Sequence, residues 1–135
     1  MIRAALAVVS SLLLTTSACI AVCPPELHAE GSAAATVTPA TFAEIKHDSF
    51  VKRAAGGVLQ LEGRMWCGIE LQNLAPVDDP DFHFEESVRV YSRDRAISTA
   101  LCRCRGRRLR LTGRFTPNAG RALGSLDVTD LECRP

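Results

Sequence analysis

Six cysteines in 135 residues are the first groups whose type and spacing point to chemistry. Four of them, Cys67, Cys102, Cys104 and Cys133, fall in the part of the chain patterned for β-structure. An even set of this kind pairs as disulfides by default in an oxidising compartment. Cys102 and Cys104 are separated by one residue, and a bridge between them would be strained. Each is therefore expected to pair with Cys67 or Cys133, and Cys23 is left over. Two such bridges would contribute about 2–4 kcal/mol each. The same four thiolates are also a zinc set in principle, but structural zinc ligands are usually spaced by roughly two to four residues. Disulfides are the expectation, with no metal and no other cofactor.

Charge is the second signal. Arg103, Arg105, Arg107, Arg108, Arg110 and Arg114 form a run without an acid, and Asp78, Asp79, Asp81, Glu85 and Glu86 form a run without a base. The arginines either line the wet side of a half-buried strand or make an electrostatic face for a protein or an anionic polymer. Trp66, expected to face outward, is the aromatic candidate for the same role as Arg103, Arg105, Arg108, Arg110 and Arg114. Formal net charge is +1. Arg3 is the one charge in residues 1–18, so the rest of the chain is formally neutral. With one Trp and one Tyr, the chain offers little for nucleic-acid binding.

Catalytic signatures are absent. His83-Phe84-Glu85-Glu86 lacks the order and spacing of a zinc-protease motif, and Ser87 and Ser92 have no Gly-x-Ser-x-Gly setting. On a strand, Asp81, His83 and Glu85 would share one face, where the histidine could titrate or ligate.

The N-terminus sets the compartment. Met1-Ile2-Arg3 is a short positive region, Ala4 to Leu14 is apolar apart from Ser10 and Ser11, and Thr15 to Ala18 is small and polar. That order is the secretory pattern, and the apolar run falls short of the ~20 residues a membrane span needs. Thr16-Ser17-Ala18-Cys19 resembles a bacterial lipobox, departing from it at Thr16, where leucine is usual. The resemblance implies diacylation at Cys19 and, with Ile20 rather than Asp next, retention at the periplasmic face of the outer membrane. Ordinary cleavage after Ala18 or Ala21 is the other reading, giving a soluble periplasmic or secreted protein. Residues 19–37, with Pro24-Pro25 and Gly31-Ser32, read as a tether, and His28 has no assigned role in it.

These groups need a scaffold, expected over residues 38–135. Thr38-Pro39 resembles a helix start, with Phe42, Ile45 and Phe50 on one face and an end near His47-Asp48. From Val58 the apolar residues Leu59, Leu61, Met65, Cys67, Ile69 and Leu71 recur at period two, with Gly63 placed where a long strand can coil. Leu59-Gln60-Leu61-Glu62-Gly63-Arg64 is matched by Leu109-Arg110-Leu111-Thr112-Gly113-Arg114, suggesting two bent strands side by side. Pairing Gly63 with Gly113 would set Leu61 against Phe115, Met65 against Leu111, Glu62 against Arg114 and Arg64 against Thr112. Phe82, Phe84, Val88 and Val90 suggest a middle strand interrupted at Glu86. Ala96 to Cys104 reads as a short helix or a strand, and Leu126 and Val128 open a last strand.

This order resembles the OB-fold and the small OB-type domains of uncharacterised exported bacterial proteins. The implied fold is mainly β: a closed or partly open small barrel with one N-terminal helix. Fold alone assigns no function. The expectation is a non-enzymatic binding module at the envelope for a protein or polymer partner, of which an inhibitor or immunity-type lipoprotein is one form. A small hydrolase or metal-dependent enzyme using His83, and a structural part of an envelope assembly, are the alternatives.

Overall fold

The structure is a computed structural model that describes residues 23, 26–29, 36–68, 71–117 and 120–134. Residues 1–18, expected to be an export signal, and Cys19, expected to carry lipid, lie outside the described residues. Its elements are β1 (Glu26–His28), β2 (Val37–Ala40), α1 (Phe42–Ile45), α2 (Asp48–Ala54), β3 (Val58–Cys67), β4 (Gln72–Ala75), β5 (Val88–Tyr91), α3 (Arg95–Arg103), β6 (Arg108–Pro117) and β7 (Gly124–Cys133). A single 3₁₀ turn spans Phe84–Glu86. None of the described helices is long and apolar enough to cross a membrane.

Five strands close a barrel. β3 pairs with β4, β4 with β5, β5 with β7, β7 with β6, and β6 returns to β3. The β5–β7 contact is parallel and the other four are antiparallel. The first and fourth barrel strands, β3 and β6, are thus antiparallel neighbours, as the OB-like reading requires. Two short strands add to this frame: β2 runs parallel to the start of β3, and β1 runs antiparallel to β7. Pro39 is tolerated because β2 is an edge strand.

The period-two pattern does what strand geometry demands. Leu59, Leu61, Gly63 and Met65 are buried while Gln60, Glu62 and Arg64 are half-exposed. Leu109, Leu111, Phe115, Leu126, Val128 and Leu131 complete the interior from β6 and β7, with Leu74, Val88 and Val90 from the shorter strands. α3 follows β5 and packs against β3, β7 and β1 at one end of the barrel, burying Ile97, Ala100 and Leu101. Asp94 caps it by accepting from the Ala96 and Ile97 N–H groups. Just beyond it, Gly106 supplies the left-handed turn at φ 75°. The 96–104 run is therefore helix.

Several expectations are corrected. The helix start is not Thr38-Pro39, which lies in β2, but Thr41. Glu44 N–H donates to Thr41 Oγ1 at 3.2 Å while Thr41 N–H donates to Glu44 Oε2 at 2.8 Å, a capping box that Thr38 could not form. β3 stops at Cys67, and Phe82 and Phe84 are not in a strand; the barrel's second strand is instead Gln72–Ala75.

The β3–β6 register also differs. Leu61 faces Leu111 and Glu62 faces Arg110, while Gly63 faces Leu109 and Leu59 faces Gly113. The two glycines serve different close approaches instead of each other. A side chain at Gly63 would strike the Ala75 carbonyl and Leu74 of β4, whereas one at Gly113 would strike the Asp127 carbonyl of β7. The second site coincides with an irregularity in the β6–β7 ladder at Thr112/Gly113. The displacement is by an even number of residues, so every side chain keeps the face assigned to it.

Leu61→Ala and Leu111→Ala should each lower unfolding free energy by about 2–5 kcal/mol in urea titrations. Gly113→Ala should cost roughly 1–3 kcal/mol through overpacking against β7. A loss under about 0.5 kcal/mol at all three positions would contradict this register and interior.

Candidate functional site

Three groups of chemically capable residues are set out along the barrel. The first is at the α3 end. Cys104 closes α3, Cys133 ends β7, and Cys23 precedes β1. Their sulfurs meet: Cys23 is within bonding contact of both Cys104 and Cys133, with Cα separations of 5.2 and 6.3 Å. The Cys104 and Cys133 sulfurs are 4.0 Å apart. One sulfur forms one disulfide, so this junction holds one bridge and one further thiol. Cys23 and Cys104 are buried, at 5% and 0% exposure.

Cys67 and Cys102 make a second sulfur pair and are thiols in the structure. Burial first, and then a hydrogen bond that the Cys67 thiol donates to Cys102, push the Cys67 thiol up to about 12. Cys67 is accordingly a poor nucleophile at neutral pH. Cys102 is exposed and accepts from Gln72 Nε2 at 3.0 Å. The four cysteines of the expected framework thus divide into Cys104 with Cys133 and Cys67 with Cys102. The sulfurs that do converge within 4.8 Å of one another are those of Cys23, Cys104 and Cys133. Sequence reasoning set Cys23 aside in a tether; its burial and the β1–β7 pairing place it on the domain. The odd number of cysteines after Cys19 was the available signal.

The second group is the arginine run, whose members part company. Arg103, Arg105, Arg107 and Arg108 lie exposed in the last turn of α3, the following turn and the first residue of β6. Arg108 and Arg110 bond to Glu62, and Arg110 also reaches Glu132 at 3.4 Å. Arg134 joins from β7, 2.7 Å from Glu132. Glu62 and Glu132 thus thread an ionic ladder across β3, β6 and β7. Among the described residues, Arg103, Arg105, Arg107 and Arg114 have no acidic partner. Arg114 is exposed toward the far end of β6, opposite Val58, and so is separated from the others. Trp66 is half-buried, packed on Phe82 at 5.4 Å between ring centres, with its Nε1–H enclosed and unpartnered.

The third group lies on the segment joining β4 to β5, at the barrel end opposite α3. A groove of about 550 Å³ is lined there by Phe42, Lys46, Pro76, Asp79, His83 and Glu86 among others. His83 Nδ1–H donates to Asp79 Oδ2 at 3.0 Å, and Lys46 Nζ donates to Glu86 Oε1 at 2.9 Å. The expected partners Asp81 and Glu85 are replaced by Asp79 and Glu86, because a 3₁₀ turn at 84–86 removes the strand alternation. Asp79, His83 and Glu86 place ligand-type atoms within 4.8 Å of one another. Each already has a partner in this constellation. Arg121 reaches Glu85 at 2.7 Å across the neighbouring loop.

No protein-family model matches the chain, and no curated protein matches it. Among solved structures, the crystal structure of a DUF3299 family protein from Pseudomonas aeruginosa PAO1 aligns with a TM-score of 0.47 at 8% identity, covering 74% of this chain and 97% of that one.

The hydrogen bond that the His83 ring donates to Asp79 and the attraction of the Asp79 charge raise the His83 pKa above the ordinary 6.5. Any contribution of this pair to stability is therefore complete below pH 6.5 and is lost as pH rises through the raised value. An NMR titration of the His83 ring should give a midpoint above 6.5, and Asp79→Asn should lower it. A midpoint unmoved by Asp79→Asn would contradict the pairing.

Proposed function

We propose that this domain is a non-enzymatic binding module held at the cell envelope, and that it meets an anionic partner through its α3 end. The observation that carries the reading is the cluster of Arg103, Arg105 and Arg107, exposed and without acidic partners among the described residues. Arginine suits such a role because its guanidinium is always charged and matches carboxylate and phosphate in bidentate geometry. The buried Cys104 lies between Arg103 and Arg105, so the sulfur junction holds this turn to the barrel. Less ordering entropy is then lost on binding. In this reading Cys19 carries the lipid that keeps the module at the periplasmic face of the outer membrane. The partner is an envelope protein or an anionic envelope polymer.

A catalytic role for His83 has less support. Its ring is engaged by Asp79, and Glu86 by Lys46.

Polyglutamate serves as a simple anionic probe. The purified mature chain should bind it in a salt-dependent manner, weakening on the order of tenfold between low and high salt as exposed charges are screened. The variant R103Q/R105Q/R107Q should lose that binding while its urea midpoint stays near the wild-type value. Equal binding by the variant would refute the assignment of this surface.

A further inference from the structure

We infer that the anionic surface met by the α3 end is the phospholipid headgroup layer to which the chain itself is anchored. The inference rests on the proposed reading of the arginine cluster and of Cys19, and takes the anionic partner to be the lipid surface instead of an envelope protein or polymer.

The argument starts from chain length. Cys23 is four residues after Cys19, and four residues span at most about 14 Å when fully extended. Cys23 is fixed at the α3 end, with its Cα 5.2 Å from that of Cys104. Cys104 is flanked by Arg103 and Arg105, and Arg107 follows two residues later; all three arginines are exposed. A lipid on Cys19 therefore holds these arginines within a short reach of the bilayer surface, whichever of Cys104 and Cys133 bonds to Cys23.

Charge complementarity agrees with that placement. The two ends differ in how their charges are met: among the described residues the arginine turn has no acidic partner, while at the opposite end Lys46 pairs with Glu86 and Arg121 with Glu85. The arginine turn lies where β3 and β7 end and β6 begins, and the Asp78–Glu86 segment lies at the opposite end, between β4 and β5. A bilayer containing anionic phospholipid attracts the unpaired arginines of the first end. A basic residue close to such a surface gains about a fivefold preference for it, and the gain fades within a Debye length. Alone, a few arginines bind weakly. Beside an acyl anchor they act at high effective concentration and set orientation. The groove at Asp79, His83 and Glu86 then points away from the membrane.

The test uses the lipidated chain purified from membranes and reconstituted into vesicles of phosphatidylcholine alone or with about a third phosphatidylglycerol. Arginine modification by phenylglyoxal is read by mass spectrometry at each site. On the anionic vesicles Arg103, Arg105 and Arg107 should react about fivefold more slowly than on the neutral ones. High salt should abolish the difference, and Arg53 and Arg121 should react alike on both. Equal reactivity of the three arginines on the two vesicles overturns the inference, as does a mature chain with no diacylglyceryl group on Cys19. If polyglutamate protects the same arginines in solution while anionic vesicles do not, the end still binds anions but its partner is an acidic protein. If neither protects them, the proposed binding surface falls as well.

Discussion

The antiparallel ladder between β3 and β6 is the interaction on which the rest of the molecule depends. It is the seam that closes the barrel, and it runs from Val58 opposite Arg114 to Arg64 opposite Arg108. Its inner face places Leu59, Leu61, Leu109 and Leu111 in the core. Its outer face places Glu62 among arginines. Because strand side chains alternate, one register serves both purposes and a slip of one residue would exchange them. Such a slip would bury Glu62 and Arg110 among leucines, with a desolvation cost that the apolar face cannot offset.

The seam also determines where the chemistry goes. β6 begins beside the end of β3, and the connection from β5 must cross that end of the barrel as α3. Gly106 N–H donates to the Met65 carbonyl at 2.7 Å, and Met65 N–H donates to the Arg107 carbonyl at 3.0 Å, so the arginine turn is bonded directly to β3. Cys104 is carried inward by the same turn while its neighbours project outward. The sulfur junction and the arginine cluster are two faces of one tight connection. At the other end, Gly56 and Gly57 exchange backbone hydrogen bonds with Phe115, which ties α2 to the far end of β6.

The legible parts of the sequence were those where one local rule sufficed. Period-two alternation revealed β3 and the buried face of β6, and the OB-like strand order followed from them. α3 was ambiguous until its cap and Gly106 decided it. What was hidden depended on contacts between distant residues. β4 is short and buries Asn73, Leu74 and Ala75 in succession, so no alternation marks it; Asn73 is admitted because its Nδ2 donates to Ser87 Oγ at 2.8 Å. β2 contains a proline and reads as a helix start. Gly63 and Gly113 look alike in sequence but relieve crowding against different strands, which no one-dimensional pattern distinguishes. The Asp79–His83 pair spans a turn, so the same-face argument chose the wrong acids. Cys23 looked idle because its partners are 81 and 110 residues away.

Cys23 is the residue through which the N-terminal segment is attached to the arginine end, at Cys104 or Cys133. Proteolysis of the mature chain under non-reducing conditions, with thiols blocked beforehand, identifies the partner of Cys23 by mass spectrometry. The account predicts a Cys23 peptide bonded to the peptide of Cys104 or of Cys133, with the remaining member of the three found as a blocked thiol. Recovery of Cys23 as a thiol, with Cys104 bonded to Cys67 or Cys102, would contradict it.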